Sequence, residues 1–347
     1  MSNIIESIKI LQSGFQILMK KNKMRPYLVQ LCFFLSLLCC IKAPYCADYP
    51  NKPIKLVVPF SPGGGNDSVA RVVAAKLTEK LGQQVFIDNK PGAGGTLGAD
   101  FSAKSPADGY TIFLGGIGSL AINPVFNKSL PYHPTKDFEP IILLAEAPLI
   151  VVATPKLPVN SIQQLTEYMK THPTQINYAS NGNGSSAQLA AMMYESMANV
   201  KMVHVPYKGL APALSDLLSG QVQIMFSSMV AIAPIVTSNR LKALAVTSKK
   251  RSSAFPQIPT MVEAGFPEYS TGSWYGLLAP AGTPLDIILK INRAANSCLQ
   301  DPSVKEQLLK EGAEPIGGTS QQFKKYIQSE LDKTLYLFNQ QKLDVSN

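Results

Sequence analysis

The chain has 347 residues, 46% of them hydrophobic and 16% charged, with 32 Lys and Arg against 23 Asp and Glu, a formal charge of +9. The excess of cations forms no stripe interleaved with aromatics, which argues against nucleic-acid binding, and the one compact run, Lys249-Lys250-Arg251, reads as a solvated turn. His133, His172 and His204 are the only histidines, without metal-ligand spacing and each read as structural, so metal chemistry finds little support and no cofactor is called for.

In chain order, Lys20, Lys21, Lys23 and Arg25 come first and precede an apolar run from Tyr27 to Cys40. The run is short of the ~20 residues of a membrane span and suits a secretory signal, so residues 1–46 are expected to direct export and to be cut after Cys46 or Ala47. A retained anchor helix is the competing reading, and Met19 and Met24 are alternative starts. Cys32, Cys39, Cys40 and Cys46 all fall in this segment, which leaves Cys298 alone and forbids an internal disulfide in the exported form. What remains carries 26 Lys and Arg against 22 Asp and Glu, and without disulfides its stability must come from a large core.

Beyond the signal, strands and helices alternate. Ile54–Phe60 is a short apolar run of the buried-strand kind, Ser61–Asn66 a turn, and Ser68–Leu81 a helix by its spacing of apolar residues, ended by Gly82. Gln84–Asp88, the turn Asn89–Gly95 and a helix Thr96–Lys104 repeat the pattern, and Thr111–Leu114 leads to Gly115–Ser119. Later come helix Ile162–His172, strand Ile176–Ala179, helix Ser186–Ala198, strand Met202–His204, helix Ala211–Ser219, and strands Gln223–Phe226 and Ala243–Thr247. Helices Leu285–Leu299, Val304–Glu311 and Ser320–Phe338 close the chain. Such alternation predicts an α/β protein, and ligands of α/β sheets bind beyond the carboxyl ends of the strands. The apolar stretches Ile141–Ala153 and Gly272–Ala279 read as two passages between domains. Residues 47–148 with 273–347 then form one domain and 149–272 the other, with a ligand cleft between them.

Three glycine-rich turns, Ser61–Asp67, Gly92–Gly98 and Ser180–Ser185, carry the chemistry. Glycine lets backbone approach a ligand closely, and a helix that starts after such a turn presents unpaired N–H donors and a positive dipole end. That is the equipment for holding a small anion. The second turn fails as a dinucleotide motif because position 97 is Leu97, and Gly184-Ser-Ser fails as a nucleophile elbow because position 188 is Gln188. An exported hydrolase using Ser61, Ser180 or Ser185 remains the competing class. It needs a base that no glycine turn supplies, so the chain is expected not to be an enzyme.

The runs Tyr49-Pro-Asn-Lys-Pro-Ile-Lys-Leu-Val-Val-Pro-Phe-Ser-Pro-Gly-Gly-Gly-Asn-Asp67, Asn89-Lys-Pro-Gly-Ala-Gly-Gly-Thr-Leu-Gly98, Val205-Pro-Tyr-Lys-Gly209 and Ser273-Trp-Tyr-Gly-Leu-Leu-Ala-Pro-Ala-Gly-Thr-Pro284 resemble the Bug family of periplasmic solute receptors of tripartite tricarboxylate transporters. The resemblance spans about Tyr49 to Lys333. It implies a type II periplasmic-binding fold, two α/β domains joined by a two-strand hinge, that captures a small organic carboxylate and passes it to membrane permease subunits. Presentation to a sensor protein is the alternative, and the receptor is expected to be periplasmic and monomeric.

On this reading Phe60 walls the pocket, Ser61, Gly63, Gly64, Gly65 and Asn66 face a carboxylate, and Asp67 is a helix N-cap. Ser180, Asn181, Gly184, Ser185 and Ser186 form the opposing jaw, Tyr207 and Lys208 add a hydroxyl and a cation, and Gly115, Gly116 and Ser119 line the floor. For several of these the plainer reading stands beside the functional one: tight-turn glycines, a buried Phe60, a solvated Lys208. The family pattern usually has an acid after Met225-Phe226 where this chain has Ser227, and a glycine where it has Asn239. Ser227 is therefore taken as a site residue that favours a solute without an amino group.

Overall fold

The computed structural model describes residues 49–341, so the signal, its cleavage site and the alternative starts lie outside the described residues. β1 (Ile54–Val58) buries Ile54 and Leu56 to Val58 completely, as a strand covered on both faces requires. α1 (Gly65–Leu81) ends where Gly82 takes a left-handed φ of 68°. It begins three residues before the start read from apolar spacing, because Gly64 is the N-cap and Gly65 and Asn66 enter the first turn. Asp67 is therefore not the N-cap. It lies inside that turn and accepts from the N–H of Gly63, the residue before the cap, at 3.0 Å.

β2 (Val85–Asn89), α2 (Thr96–Ala103) and β3 (Thr111–Gly116) complete the first unit, with β1 parallel to both neighbours. A wide helical segment, Gly118–Ile122, and α3 (Asn123–Phe126) follow. β4 (Phe138–Ala153) is a 16-residue strand, and the second unit is α4 (Ile162–Thr171), β5 (Asn177–Ser180), α5 (Ser186–Ala198), β6 (Val203–Pro206), α6 (Leu210–Ser219), β7 (Ile224–Ser228), α7 (Met229–Thr237) and β8 (Lys242–Val246). The chain returns through β9 (Gly272–Pro280), α8 (Leu285–Leu299), α9 (Pro302–Lys310), β10 (Glu314–Pro315) and α10 (Ser320–Gln341).

Strand order is β2-β1-β3-β9-β4-β7-β5-β6, with β8 and β10 also on β4. β4 alone belongs to both halves of this array. It pairs with β9 as far as Pro148 and, from Leu149 on, with β7 and β8. The side chain of Thr247, one residue past β8, donates to the Thr271 carbonyl at 2.7 Å and accepts from the Leu149 N–H at 2.8 Å, tying the second crossing to the first. Two lobes thus meet along β4 and the entry to β9. A large apolar cluster runs from Val57 and Phe113 to Tyr194 and Trp274, and a second, around Ile150, Met225 and Ile232, fills the other face of the second lobe. Leu189, Met192 and Met193 of α5 are buried in the first of these.

Candidate functional site

The first jaw is the turn between β1 and α1. The side chain of Asp67 is buried and accepts four hydrogen bonds: Oδ2 from Gly63 N–H at 3.0 Å and Arg71 Nε at 2.8 Å, Oδ1 from Arg71 Nη2 at 3.1 Å and Asn89 Nδ2 at 3.0 Å. Asn89 Nδ2 also donates to the Phe60 carbonyl at 3.0 Å, so one carboxylate fixes both ends of the turn. Burial pushes the Asp67 carboxyl up, but the bonds from Arg71, Gly63 and Asn89 outweigh it and hold the pKa below the usual carboxylate range. With the turn held, the first N–H groups of α1 point away from the helix, where they have no intrahelical acceptor.

The second jaw is the turn before α5. Ser185 is the N-cap, accepting from Gln188 N–H, and Gln188 Oε1 accepts from Gly184 N–H at 2.8 Å, a reciprocal capping box. His204 packs its ring on Tyr178 at 4.8 Å, with Nε2 at 2.6 Å from Ser180 Oγ and Nδ1 at 3.4 Å from Gln188 Nε2. Folding therefore brings a histidine to one of the candidate nucleophiles. The Gln188 amide nitrogen can only donate, so a bond from it requires the tautomer in which Nδ1 accepts and Nε2 carries the proton toward Ser180. In that tautomer the histidine donates to Oγ, and Ser180 is fully buried. The pair braces the turn, since Ser180 Oγ also accepts from Gly182 N–H at 3.0 Å.

This bracing has a pH signature. Burial lowers the His204 pKa, so the unfolded chain takes up the proton first as pH falls. The stability that rests on neutral His204 is complete above the unfolded value of about 6.5 and is lost as pH falls through the lower folded value. Thermal midpoints measured from pH 7.5 to 5 should decline, and His204→Gln should flatten that decline. An unchanged slope in the variant would show that His204 does not brace the turn.

Between the jaws lies a narrow cavity of about 40 Å³, room for a few waters at most. Phe60, Gly64, Gly65 and Asn66 line it from the first lobe with Gly116 to Ser119; Asn181, Ser185 to Ala187, Leu210, Phe226, Ser228 and Ala231 line it from the second, and Ser273 to Tyr275 of β9 form the floor. Among the described residues that line it, none is charged at neutral pH. Its lining includes residues from the N-terminal ends of four helices: Gly65 of α1 from one lobe, and Ser186 of α5, Leu210 of α6 and Ser228, the N-cap of α7, from the other. Each such end is worth roughly half a positive charge and several unpaired donors. Two hydroxyl pairs, Ser228–Tyr275 at 2.8 Å and Ser186–Ser273 at 3.1 Å, join the second lobe to β9. Burial pushes the Tyr275 phenol up to about 12, so it stays a neutral donor. Asn181 Oδ1 is buried without a hydrogen-bond partner.

Of the residues singled out in the sequence, Phe60, Gly64, Gly65, Asn66, Gly116, Ser119, Asn181, Ser185 and Ser186 meet at this cavity. The others lie elsewhere. Ser61 Oγ donates to the Lys208 carbonyl at 2.8 Å, and the Gly63 N–H is taken by Asp67. Gly115 packs on Leu120 and Leu278, Gly184 gives its N–H to Gln188, and Ser180 is taken up by His204. Tyr207 donates its hydroxyl to Asp216 at 2.6 Å and, with Lys208, lines an adjoining groove of about 450 Å³. Ser227 is buried beside the cavity, because strand alternation in β7 turns Phe226 and Ser228 inward and Ser227 away. Ser228, Ser273 and Tyr275 carry no local signal in the sequence: β9 reads there only as a passage, and nothing distinguishes Ser228 from Ser227.

The chain matches, over residues 69–343, the family described as the tripartite tricarboxylate transporter family receptor. Protein BugT of Bordetella pertussis is 39% identical over 295 residues, 84% of this chain and 90% of that one. Among solved structures, R. palustris Rpa4515 with adipate superposes with a TM-score of 0.83 at 36% identity, covering 85% of this chain and 99% of that one. MatC of Rhodopseudomonas palustris with bound malate gives 0.80 at 32% identity, covering 83% and 99%. The architecture is accordingly the two-domain periplasmic-binding fold.

Proposed function

This chain belongs to the tripartite tricarboxylate transporter receptor family, and we propose that it binds a small dicarboxylate between its lobes, where the cavity of about 40 Å³ widens to admit it, and hands it to the membrane permease subunits of such a transporter. The observation that carries the reading is a cavity that has no charged side chain among the described residues lining it and is edged by N-terminal helix residues from both lobes. An anion with a carboxylate at each end finds N–H donors and positive dipole ends on both sides. An ammonium group finds neither a carboxylate nor a negative dipole end among the lining residues, so amino acids are disfavoured. Adipate and malate, held by two relatives of known structure, are both dicarboxylates.

Residues 47–148 with 273–347 and residues 149–272 act as the two closing bodies, the expected signal sends the protein to the periplasm, and no step of catalysis is involved. The test is thermal unfolding against mono-, di- and tricarboxylates, aromatic acids and amino acids, with mass spectrometry of each mixture. A dicarboxylate should raise the midpoint with concentration and be recovered unchanged, because a ligand of the folded state alone must stabilise it. No shift with any carboxylate, or conversion of one, would sink the reading.

A further inference from the structure

The second glycine turn lines no part of the solute cavity, yet it is where the lobes come into backbone contact. Gly94, with a φ of 60°, sits against the Asn183 carbonyl of the opposite lobe so closely that a Cβ on Gly94 would overlap it. Asn123 Nδ2 donates to the Gly94 carbonyl at 3.0 Å in a buried bond, and Asn123 Oδ1 lies where a Cβ of Gly184, from the opposite lobe, would be. A Cβ on Gly118 would stand 3.2 Å from the carbonyl oxygens of both Gly184 and Gly94. Four backbone positions and one amide thus mesh at a single point beside the mouth, without a charge.

We infer that Gly94 and Asn123 are positioning residues that set solute affinity by latching the closed form, although they do not touch the solute. This rests on the receptor reading above. The physical case is that the contacts of Gly94 with Asn183, and of Asn123 and Gly118 with Gly184, cross between the lobes and exist only when these are together, so they weigh on the closed state alone, while the Asn123–Gly94 bond, within the first lobe, holds the two in place. The observed dissociation constant is the intrinsic one divided by the closed fraction, and loss of the latch therefore weakens every solute by the same factor. Encounter takes place with the open form, so the loss falls on the off-rate and leaves the on-rate alone. Neutral contacts suit this role, because each is weak and the latch must let go when the solute is delivered.

The experiment compares the purified wild type with Gly94→Ala and Asn123→Ala, using adipate and malate as probes in stopped-flow binding and small-angle scattering with and without solute. Expected are a rise in off-rate of about tenfold or more with the on-rate within about twofold, the same factor for both probes, and a larger radius of gyration in the variants. Rates and scattering equal to wild type in both variants would overturn the inference. Gly94→Ala also strains a left-handed position; Asn123→Ala does not, and it decides the matter if the first fails to fold. The solute-free scattering needs no ligand. A wild type that bound neither probe would therefore remove the dicarboxylate reading, while the latch would still stand or fall on the expansion of the variants.

Discussion

Gly65→Ala should weaken solute binding strongly while leaving the solute-free protein folded. The reason lies in what a Cβ at this position meets: Ser228 Oγ at 2.6 Å and Tyr275 Oη at 2.8 Å, the hydroxyl pair that closes the cavity behind the first turn of α1. Ser228 comes from the second lobe, so the overlap with it arises only as the lobes close. Alanine in the first turn of a helix is otherwise favourable by up to about 1 kcal/mol over glycine, which offsets local disturbance in the open form. Binding by calorimetry should weaken by at least about 100-fold, equivalent to roughly 2.7 kcal/mol. The solute-free midpoint should stay within a few degrees of wild type. If Gly65→Ala binds a dicarboxylate as tightly as wild type, the anion does not sit at the N-terminus of α1 and the site has been placed wrongly.

The contrast between Gly65 and Ser228 shows what the sequence discloses and what it withholds. Glycine turns after apolar strands are legible because the local need, φ freedom or close approach, restricts the residue type, and Gly64, Gly65 and Asn66 lie at the cavity as read. Ser185 and Ser186 are legible for a similar reason, since a cap and a helix start leave a local pattern. Ser228, Ser273 and Tyr275 are set there by β4, β7 and β9 coming together across more than a hundred residues, and no local pattern records that. Even the phase of β7 is lost in the sequence: Ser227 and Ser228 are the same residue, and only the pleat tells which one faces the cavity. α7 went unread because Met229 to Val236 is apolar throughout and holds Pro234, which hides helical periodicity. Asn239 is the converse case. Its φ of 55° explains why a residue tolerant of the left-handed region stands there. The role of His204 needed distances, because a lone histidine within a short strand has no partner in sequence.

Asp67→Asn should lower both stability and affinity, and the cause is a mismatch of donors. Each oxygen of the carboxylate accepts two bonds, Oδ2 from Gly63 and Arg71 and Oδ1 from Arg71 and Asn89. Whichever way the amide turns, its NH₂ faces two donors, and a buried donor left without an acceptor costs about 1–3 kcal/mol. Arg71 is more than half exposed, so water takes over its share and the expected loss comes mainly from Gly63 or Asn89, roughly 2 kcal/mol. That corresponds to a fall of about 3 °C in the midpoint of a chain of this size. The same bonds hold the turn that aims Gly64 and Gly65, so affinity for a dicarboxylate should fall about tenfold or more. The pH dependence separates the charge from the shape. Because the folded pKa of Asp67 is depressed, the stability it contributes is complete above the unfolded value of about 3.9 and disappears as pH falls through the lower folded value. Wild type should therefore lose its advantage over Asp67→Asn on acidification below pH 4, and the two midpoints should converge. A gap that stays constant from pH 7 to pH 3 would mean that the ionised carboxylate is not what holds the first jaw.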